Sequence, residues 1–316
     1  MAEAKRFPAL ASAACFAVIV LAVPGGSLAQ GRGAAEEGLE LVDPNVLRVC
    51  ADPNNLPFSN EKGEGFENKL AELFAAKLGK KLAYTFYPQA TGFVRVTLGS
   101  HRCDVIMGYP QGDEMVQNTN PYYQTAYALV TKSGSPLDGV DTLADPRLLG
   151  KRIGVVAGTP PATYFVAHGL MANAKPYPLT VDTRIDSSGV AMMRDLASGE
   201  IDAGVLWGPI AGYYAARANP PMHVQLLLKD TGGPRLVYYI TMGVRPSDQN
   251  WKRQLNKLIA ENRFAIDKTL LDFGVPLLDE NDRPITGPPS AVTPRTQLRP
   301  RTRVAAANDR RGRTIT

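Results

Sequence analysis

The sequence predicts an α/β fold of two lobes, each a mostly parallel sheet flanked by helices, joined by a two-stranded hinge. Three observations predict it. Strand and helix patterns alternate along residues 41–284, as in parallel strands joined by helical crossovers. A βα pattern at 98–110 returns ninety-eight residues later, at 196–209. A late apolar run at 236–244 is too long for a surface linker, so it predicts a strand that returns to the first lobe.

The first lobe begins with a strand over 47–51 that enters a turn-rich loop. Apolar residues then recur at helical spacing from Phe66 to Leu78, and Gly79 is placed to end that helix as its C-cap. Further elements are predicted as strands over 82–87 and 104–107 and as a short helix over 93–98.

The repeated pattern marks the strand ends where a ligand is expected. Each copy has a helix end, a turn, an aspartate, an apolar strand and an aromatic residue. Tyr109 follows Asp104 by five residues, and Trp207 follows Asp202 by the same distance. Open α/β sheets bind ligands at the carboxyl ends of their strands, so each lobe is predicted to contribute to a site there. A chance similarity of two βα units is the alternative.

The late strand and a helix predicted over 250–273 assign both ends of the body to the first lobe. Two connections between lobes form a hinge, which permits closure around a cleft. The predicted division is a signal peptide over 1–29, a first lobe over 41–131 plus 238–284, a second lobe over 132–237, and a disordered basic tail over 285–316.

The first thirty residues have the pattern of a secretory signal peptide. Lys5 and Arg6 precede an apolar run over 7–23, and 27–29 offers a small-x-small cleavage site. A membrane anchor is the alternative, but the run is short and a Pro-Gly-Gly turn at 24–26 interrupts it. The expectation is a periplasmic protein without membrane insertion once the signal is removed.

Net charge reflects the tail rather than the body. The formal charge is +5, yet residues 293–316 alone hold seven arginines and one acidic residue. The body is therefore slightly acidic. A nucleic-acid-binding body would be expected to carry net positive charge, so its composition does not favour that function. The tail has no apolar periodicity and is predicted to be disordered. Its two readings are a solubilising extension and an electrostatic arm for an acidic partner.

Two cysteines, Cys50 and Cys103, lie beyond the signal segment. An oxidising periplasm permits a disulfide between them. The expected strand register argues against it, because Cys50 sits late in one strand and Cys103 at the start of another. The sequence leaves the pairing open.

No catalytic or metal-binding constellation emerges, so neither an enzyme nor a cofactor is predicted. The chain has no Gly-x-Ser-x-Gly motif, and Gly63-Glu64-Gly65 does not complete a dinucleotide fingerprint. The histidines at positions 101, 168 and 223 have no partner at metal-ligand spacing.

Candidate site residues cluster at the predicted strand ends and helix starts. Aromatic rings there give large contact area at low entropy cost, although ordinary core packing is the alternative. Gly158 and Thr159 could present backbone N–H groups to an anion or only cap a helix, and Glu67 could only complement a helix dipole. The candidates are Asn54, Phe58, Glu67, Tyr109, Tyr122, Tyr123, Gly158, Thr159 and Trp207.

The order of these elements resembles the type II periplasmic solute-binding proteins of the amino-acid-binding kind. The matching stretches are 47–59, 65–67, 103–108, 120–123, 154–159 and 201–207. The resemblance implies two lobes that close on a solute.

Two departures set the chain apart from amino-acid binders. That family supplies an arginine shortly before the Pro-Tyr element, and residues 112–117 here contain none. It also supplies an acid late in lobe two, where this chain has Trp207-Gly208. Each charge-assisted hydrogen bond contributes about 1.5–3 kcal/mol, so losing both should abolish tight amino-acid binding.

Longer strings resemble a narrower group, the binding-protein-like accessory proteins of PQQ-dependent methanol dehydrogenases (XoxJ and MxaJ type). The strings are 47–60, 65–69, 92–95, 102–105 and 207–213. The resemblance implies a monomeric helper in maturation or activation of that dehydrogenase, leaning toward the lanthanide type, with the enzyme's c-type cytochrome as a further expected partner. The alternatives are an ABC-importer binding protein for a small non-amino-acid or apolar ligand, and a degenerate enzyme.

Overall fold

The computed structural model describes residues 40–112 and 114–287, which form a mixed α/β fold. The twelve strands are β1 (Val46–Ala51), β2 (Asn54–Asn55), β3 (Ser59–Asn60), β4 (Lys81–Phe86), β5 (Val105–Pro110), β6 (Gln117–Asn118), β7 (Tyr123–Lys132), β8 (Ile153–Val156), β9 (Ala174–Tyr177), β10 (Ala203–Trp207), β11 (Met222–Leu226) and β12 (Val237–Val244). The seven α-helices are α1 (Phe66–Leu78), α2 (Phe93–Val96), α3 (Pro160–Ala167), α4 (Ser188–Ser198), α5 (Gly208–Arg217), α6 (Gln249–Glu261) and α7 (Arg263–Asp272).

Ten strands join in one hydrogen-bonded network whose main order is β4-β1-β5-β12-β7-β10-β8-β9. We call β1, β4, β5, β6 and β12 the first half, and β8 to β11 the second half. Strand β7 serves both halves, because residues 123–126 pair with β12 and residues 127–130 pair with β10. Within each half the central pairs β1–β5 and β8–β10 are parallel, which confirms the predicted fold class.

The repeat found in the sequence is a structural repeat. The N–H of Asp104 donates to the carbonyl oxygen of Arg48 at 2.7 Å, and the N–H of Asp202 donates to that of Arg152 at 2.7 Å. Each aspartate also forms an ion pair with the same arginine, at 2.6 Å in the first half and 2.8 Å in the second. The two halves therefore contain the same βα unit. In each unit an arginine at one strand binds the aspartate in the turn that precedes the neighbouring strand.

Helix α1 forms where the apolar spacing predicts it. The Asn68 side chain accepts hydrogen bonds from the N–H groups of Asn60 and Gly65, which fixes the start of the helix. Gly79 ends it with a φ of 64°, a left-handed conformation in which glycine has no Cβ penalty. The helix buries Phe66, Leu70 and neighbouring apolar residues against the core of the first half.

The single helix predicted over 250–273 is wrong in one respect, because the structure divides it into α6 and α7. The break is at Asn262, whose φ of −117° and ψ of 19° leave the helical region. Its side-chain Nδ2 donates to the carbonyl oxygen of Leu258 at 2.8 Å. An asparagine side chain that binds the local backbone competes with helical hydrogen bonds, so apolar periodicity alone could not reveal the break.

Cys50 and Cys103 form a disulfide, with Cα atoms 5.4 Å apart. The register argument against the pairing, which the sequence left open, placed Cys103 at the start of a strand, and this is incorrect. Strand β5 begins at Val105, and Cys103 lies in the turn before it, while Cys50 faces Ile106 in the parallel ladder. The turn brings the cysteine back toward β1, where both side chains are buried in one apolar cluster.

Two predictions concern residues at the ends of the chain that the structure does not describe. The signal peptide (1–29) and residues 288–316 of the predicted tail lie outside the described residues. The body extends to Ile285, whose N–H donates to the carbonyl oxygen of Leu277 at 2.9 Å. The division into lobes at 131/132 and 237/238 stays a prediction. Within 40–112 and 114–287, no helix is long and apolar enough to cross a membrane.

Candidate functional site

A cavity of about 470 Å³ lies at the strand ends where the two halves meet. Its size falls in the range of about 300–1,000 Å³ that is typical of small-molecule sites. Both halves contribute to its lining. The lining residues are Asn55, Phe58, Glu67, Gln89, Gly108, Tyr109, Pro110, Tyr123, Tyr127, Val156, Thr159, Pro178, Leu179, Val181, Thr183, Ser187, Ser188, Gly189, Leu206, Trp207, Ile210, Tyr238 and Ile240.

Three rings form one wall of the cavity, which we call the aromatic wall: Tyr127, Trp207 and Tyr238. Each ring contacts the other two edge-on, with centroids 5.1 to 6.4 Å apart. Strand pairing sets this arrangement, because Trp207 in β10 lies directly opposite Tyr127 in β7. Edge-to-face packing fixes the rings, and burial raises the pKa of Tyr127, so its hydroxyl stays neutral.

Phe58 reaches the cavity from the turn between β2 and β3. Its ring packs edge-on against Phe66, with centroids 5.4 Å apart. Its carbonyl oxygen accepts from the N–H of Glu67 at 2.9 Å, which ties this segment to the first turn of α1. A Cβ added to Gly65 would lie 2.0 Å from that oxygen, so the close approach requires glycine.

Glu67 is the one acidic residue in the lining, and it is only 4 % exposed. Its Oε1 lies so close to Gly108 that an added Cβ there would be 2.2 Å away. Burial, and then the nearby Asp52, raise the pKa of Glu67 to about 8. The carboxyl group is therefore mostly neutral at pH 7 when the cavity holds no compensating charge.

The lining contains no lysine, arginine or histidine among the described residues. A bound carboxylate would lose its hydration without gaining a charged partner, which costs several kcal/mol. The prediction that this chain lacks the ion-pairing groups of amino-acid binders therefore agrees with the cavity. An anionic or zwitterionic solute is a poor fit.

Hydrogen bonds cross the mouth of the cavity from the loop between β9 and α4. The hydroxyl of Thr183 donates to Asp52 Oδ1 at 2.7 Å, and Asn54 Nδ2 donates to the carbonyl oxygen of Thr183 at 2.8 Å. From α5, the hydroxyl of Tyr214 donates to the carbonyl oxygen of Leu56 at 3.3 Å. These bonds join the two halves beside the cavity.

Thr183→Val should open the cavity mouth. A hydrogen bond to a charged group contributes about 1.5–3 kcal/mol, so its loss should shift the closed-to-open ratio by about tenfold or more. We expect a larger radius of gyration by small-angle X-ray scattering. Thr85→Val is the control, because that hydroxyl donates to Arg102 within the first half. Identical scattering from Thr183→Val and the unmodified protein would contradict this role.

The structure brings most of the predicted site residues together and displaces three of them. Those that line the cavity are Phe58, Glu67, Tyr109, Tyr123, Thr159 and Trp207. Tyr122 is a core residue instead: it is fully buried, and its hydroxyl donates to the carbonyl oxygen of Met107 at 2.6 Å. Asn54 lies at the mouth, in the bond to Thr183 described above, and Gly158 occupies a turn outside the lining.

Thr159 lines the cavity but does not cap α3 with its side chain. Its hydroxyl donates to the carbonyl oxygen of Val156 at 2.6 Å. Glu67 lies in the first turn of α1, as the dipole interpretation requires, and its side chain also lines the cavity. The anion cradle at Gly158 and Thr159 stays a prediction. An anion beside Gly158 would find no basic residue in the neighbouring lining.

Sequence reasoning missed two members of the aromatic wall and the residue that closes the mouth. Tyr127 and Tyr238 lie on β7 and β12, the two strands that connect the halves, and the apolar runs of those strands were a usable signal. Thr183 lies in a loop without periodicity, so no sequence pattern indicates its contact with Asp52. Across 40–112 and 114–287, no group of three or more His, Cys, Asp or Glu is placed to hold a metal ion.

Comparisons with known proteins place this geometry among binding proteins. The family described as bacterial extracellular solute-binding proteins, family 3, matches residues 47–264. Protein MoxJ of Paracoccus denitrificans is 27% identical over 267 residues, covering 78% of this chain and 96% of the relative. Protein MoxJ of Methylorubrum extorquens is 28% identical over 285 residues, covering 84% and 93%.

A solved structure agrees with both the fold and the narrower resemblance. The crystal structure of the periplasmic binding protein XoxJ from Methylobacterium extorquens AM1 superposes with a TM-score of 0.64 and 39% identity. It covers 73% of this chain and 99% of that one. The expected type II architecture and the resemblance to proteins of the XoxJ and MxaJ type are thereby confirmed.

Proposed function

Since the chain belongs to family 3 of the bacterial extracellular solute-binding proteins, we propose that it acts as a periplasmic accessory protein of a PQQ-dependent methanol dehydrogenase. In this proposal it supports maturation or activation of that enzyme and engages it through the inter-lobe cleft or its rim. Its similarity to XoxJ and MoxJ supports the partner class. The lanthanide type of enzyme, a contribution from the c-type cytochrome and a monomeric state belong to the same proposal.

The lining of the cavity is the observation that carries the proposal. A receptor for amino acids needs a positive group for the α-carboxylate, and none of the described lining residues supplies one. Aromatic side chains take its place, and these are enriched where proteins contact each other. An apolar, aromatic cleft in a binding-protein fold supports a role other than amino-acid delivery.

The rim offers a contact surface beside the cleft. We define the rim as Leu179 and Ile185, which lie in the β9–α4 loop on either side of Thr183. Leu179 is 58% exposed and Ile185 is 85% exposed. Large apolar side chains presented together beside a cleft indicate an interaction site more than scattered ones do. The rim therefore supplies apolar anchors that a partner protein can cover.

Leu179→Ser/Ile185→Ser should weaken capture of the dehydrogenase by about tenfold or more, because each anchor loses its apolar burial. The measurement is binding of the chain to immobilised methanol dehydrogenase. Val166→Ser/Met171→Ser is the matched control, since both residues are exposed but lie outside the rim. Equal capture by the rim variant and the unmodified protein would remove the rim from the proposal.

A second candidate function is that of an ABC-importer binding protein for a small solute other than an amino acid. The closed mouth favours it, because Thr183 holds the two halves together over a cavity of suitable size. A receptor at a hundredfold excess of solute over Kd should gain about 2.7 kcal/mol of stability. A strong thermal shift with a small solute, together with no capture of the dehydrogenase, would favour this second function.

A further inference from the structure

The cavity contains a carboxyl group for which the described lining residues supply no positive counter-charge. Glu67 is 4 % exposed, lines the cavity and has no hydrogen bond to its carboxyl oxygens within the described residues. Buried polar side chains in proteins are normally hydrogen-bonded, so this one calls for a partner that is supplied from outside. The fold makes room for this carboxyl group at Gly108, because a Cβ at that position would lie 2.2 Å from Oε1 of Glu67.

The groups around Glu67 add negative rather than positive potential. Asp52 is fully buried nearby and accepts hydrogen bonds from three neutral donors, on Thr183, Gln89 and Asn54. The guanidinium of Arg184, which is ion-paired with Asp182, also senses the charge of Asp52. Among the residues that the structure describes, the hydroxyls of Tyr84, Tyr122 and Tyr123 also sense Glu67. Burial raises the pKa of all three tyrosines, so they stay neutral.

The rest of the lining suits a positive charge. Tyr127, Trp207 and Tyr238 supply aromatic surface, and Phe58 and Tyr123 add two more rings. Aromatic faces attract cations, most strongly when water is excluded, and such sites hold quaternary ammonium groups in other proteins. Serine and threonine hydroxyls in the lining could accept or donate hydrogen bonds without adding charge.

We infer that the cavity binds a small organic cation without a carboxylate, an alkylammonium or quaternary ammonium compound whose positive nitrogen pairs with Glu67 between aromatic side chains. This inference rests on the proposed role of the cavity as a binding site and names the chemical class of its ligand. The carboxylate of Glu67 supplies the charge, and the rings supply the contact area. A neutral solute that only accepts a hydrogen bond from protonated Glu67 is the competing outcome.

The two outcomes respond to pH in opposite directions. Burial and the nearby Asp52 raise the pKa of Glu67 to about 8, and a cation binds its ionised form. Cation affinity should therefore rise by about tenfold per pH unit below pH 8 and level off above it, with net proton release at pH 7. A neutral acceptor needs the protonated form, so its affinity should fall as the pH rises through 8.

The test is titration calorimetry of the full chain with choline and n-butylammonium, each against a neutral compound of the same shape, 3,3-dimethylbutan-1-ol and n-butanol respectively. At pH 8.5 we expect at least one cation to bind about tenfold or more tighter than its neutral counterpart. Heats in buffers of different ionisation enthalpy should show proton release at pH 7. The inference would be overturned if each neutral compound bound as tightly as its cationic counterpart. It would also be overturned if neither cation bound.

Variants locate the site. Glu67→Gln keeps the shape of the side chain and should abolish both the preference for cations and the pH dependence. Trp207→Leu should weaken cation binding while leaving its pH dependence. Glu72→Gln, on the exposed face of the same helix, is the control and should behave like the unmodified protein. Retained cation affinity in a folded Glu67→Gln protein would also overturn the inference.

Dehydrogenase capture separates this inference from the proposed function. If cations fail to bind while the chain still captures the enzyme, the ligand class is wrong and the accessory role stands. If cations bind while capture fails, the accessory role is wrong and the ligand class stands.

Discussion

Arg245→Met should lower the free energy of unfolding by about 3–5 kcal/mol, the largest effect that we expect from a single substitution. Arg245 follows β12, and its side chain is 6% exposed. Its NH2 group forms ion pairs with Asp104 and Asp248, each at 2.7 Å. Its NH1 group donates to the carbonyl oxygen of Cys103 at 2.6 Å.

The cost arises because the substitution leaves its partners buried. Asp248 is fully buried, and among the described residues it keeps a hydrogen bond from the hydroxyl of Ser247, at 2.8 Å. An uncompensated buried carboxylate is far more costly than the loss of a surface pair. Methionine fills similar space, so the measured loss should reflect charge rather than a cavity.

Urea unfolding followed by circular dichroism measures the effect, with Arg48→Met as the matched control. Arg48 also pairs with Asp104, but its side chain is 27% exposed, so water can partly replace it. We expect a clearly smaller loss there, on the order of 1 kcal/mol. Equal losses in the two variants would show that burial does not set the cost.

The second large effect is expected from the disulfide. Replacing both Cys50 and Cys103 by alanine should lower the free energy of unfolding by about 2–5 kcal/mol, because the unfolded chain gains freedom when the link is lost. The link closes a segment of 53 residues that contains α1, β4 and α2. The folded protein should change little, since alanine is tolerated in the apolar cluster that holds both side chains.

Thermal unfolding with and without a reducing agent measures this effect. The unmodified protein should lose stability on reduction, and the double alanine variant should not respond. A variant that unfolds at the same temperature as the oxidised protein would contradict the expectation. So would a further loss of stability when the variant is reduced.

Much of the site could be predicted from the sequence because it depends on local patterns. The repeat placed Tyr109 and Trp207 at equivalent strand ends, and both line the cavity. Helical spacing placed Glu67 in the first turn of α1, next to the site. These inferences need only the periods of helices and strands and the rule that ligands bind at strand ends.

The features that escaped prediction depend on contacts between distant segments. The expectation that aromatic residues at strand ends line the site selected both Tyr122 and Tyr123. Alternate residues of an extended segment face opposite ways, so only Tyr123 of this pair reaches the cavity. The burial of Glu67 depends on Gly108, forty-one positions further along the chain. The bond between Thr183 and Asp52 joins segments 131 residues apart and has no local signature.

The place of β12 in the sheet determines the order in which the molecule can be built during translation. This strand lies between β5 and β7, yet the ribosome makes it after every other strand that the structure describes. All strands of the second half have been made when residue 226 is complete. The nascent first half still lacks its middle strand at that point, so the edges of β5 and β7 are unpaired. The first half therefore receives its last strand after the second half has all of its own.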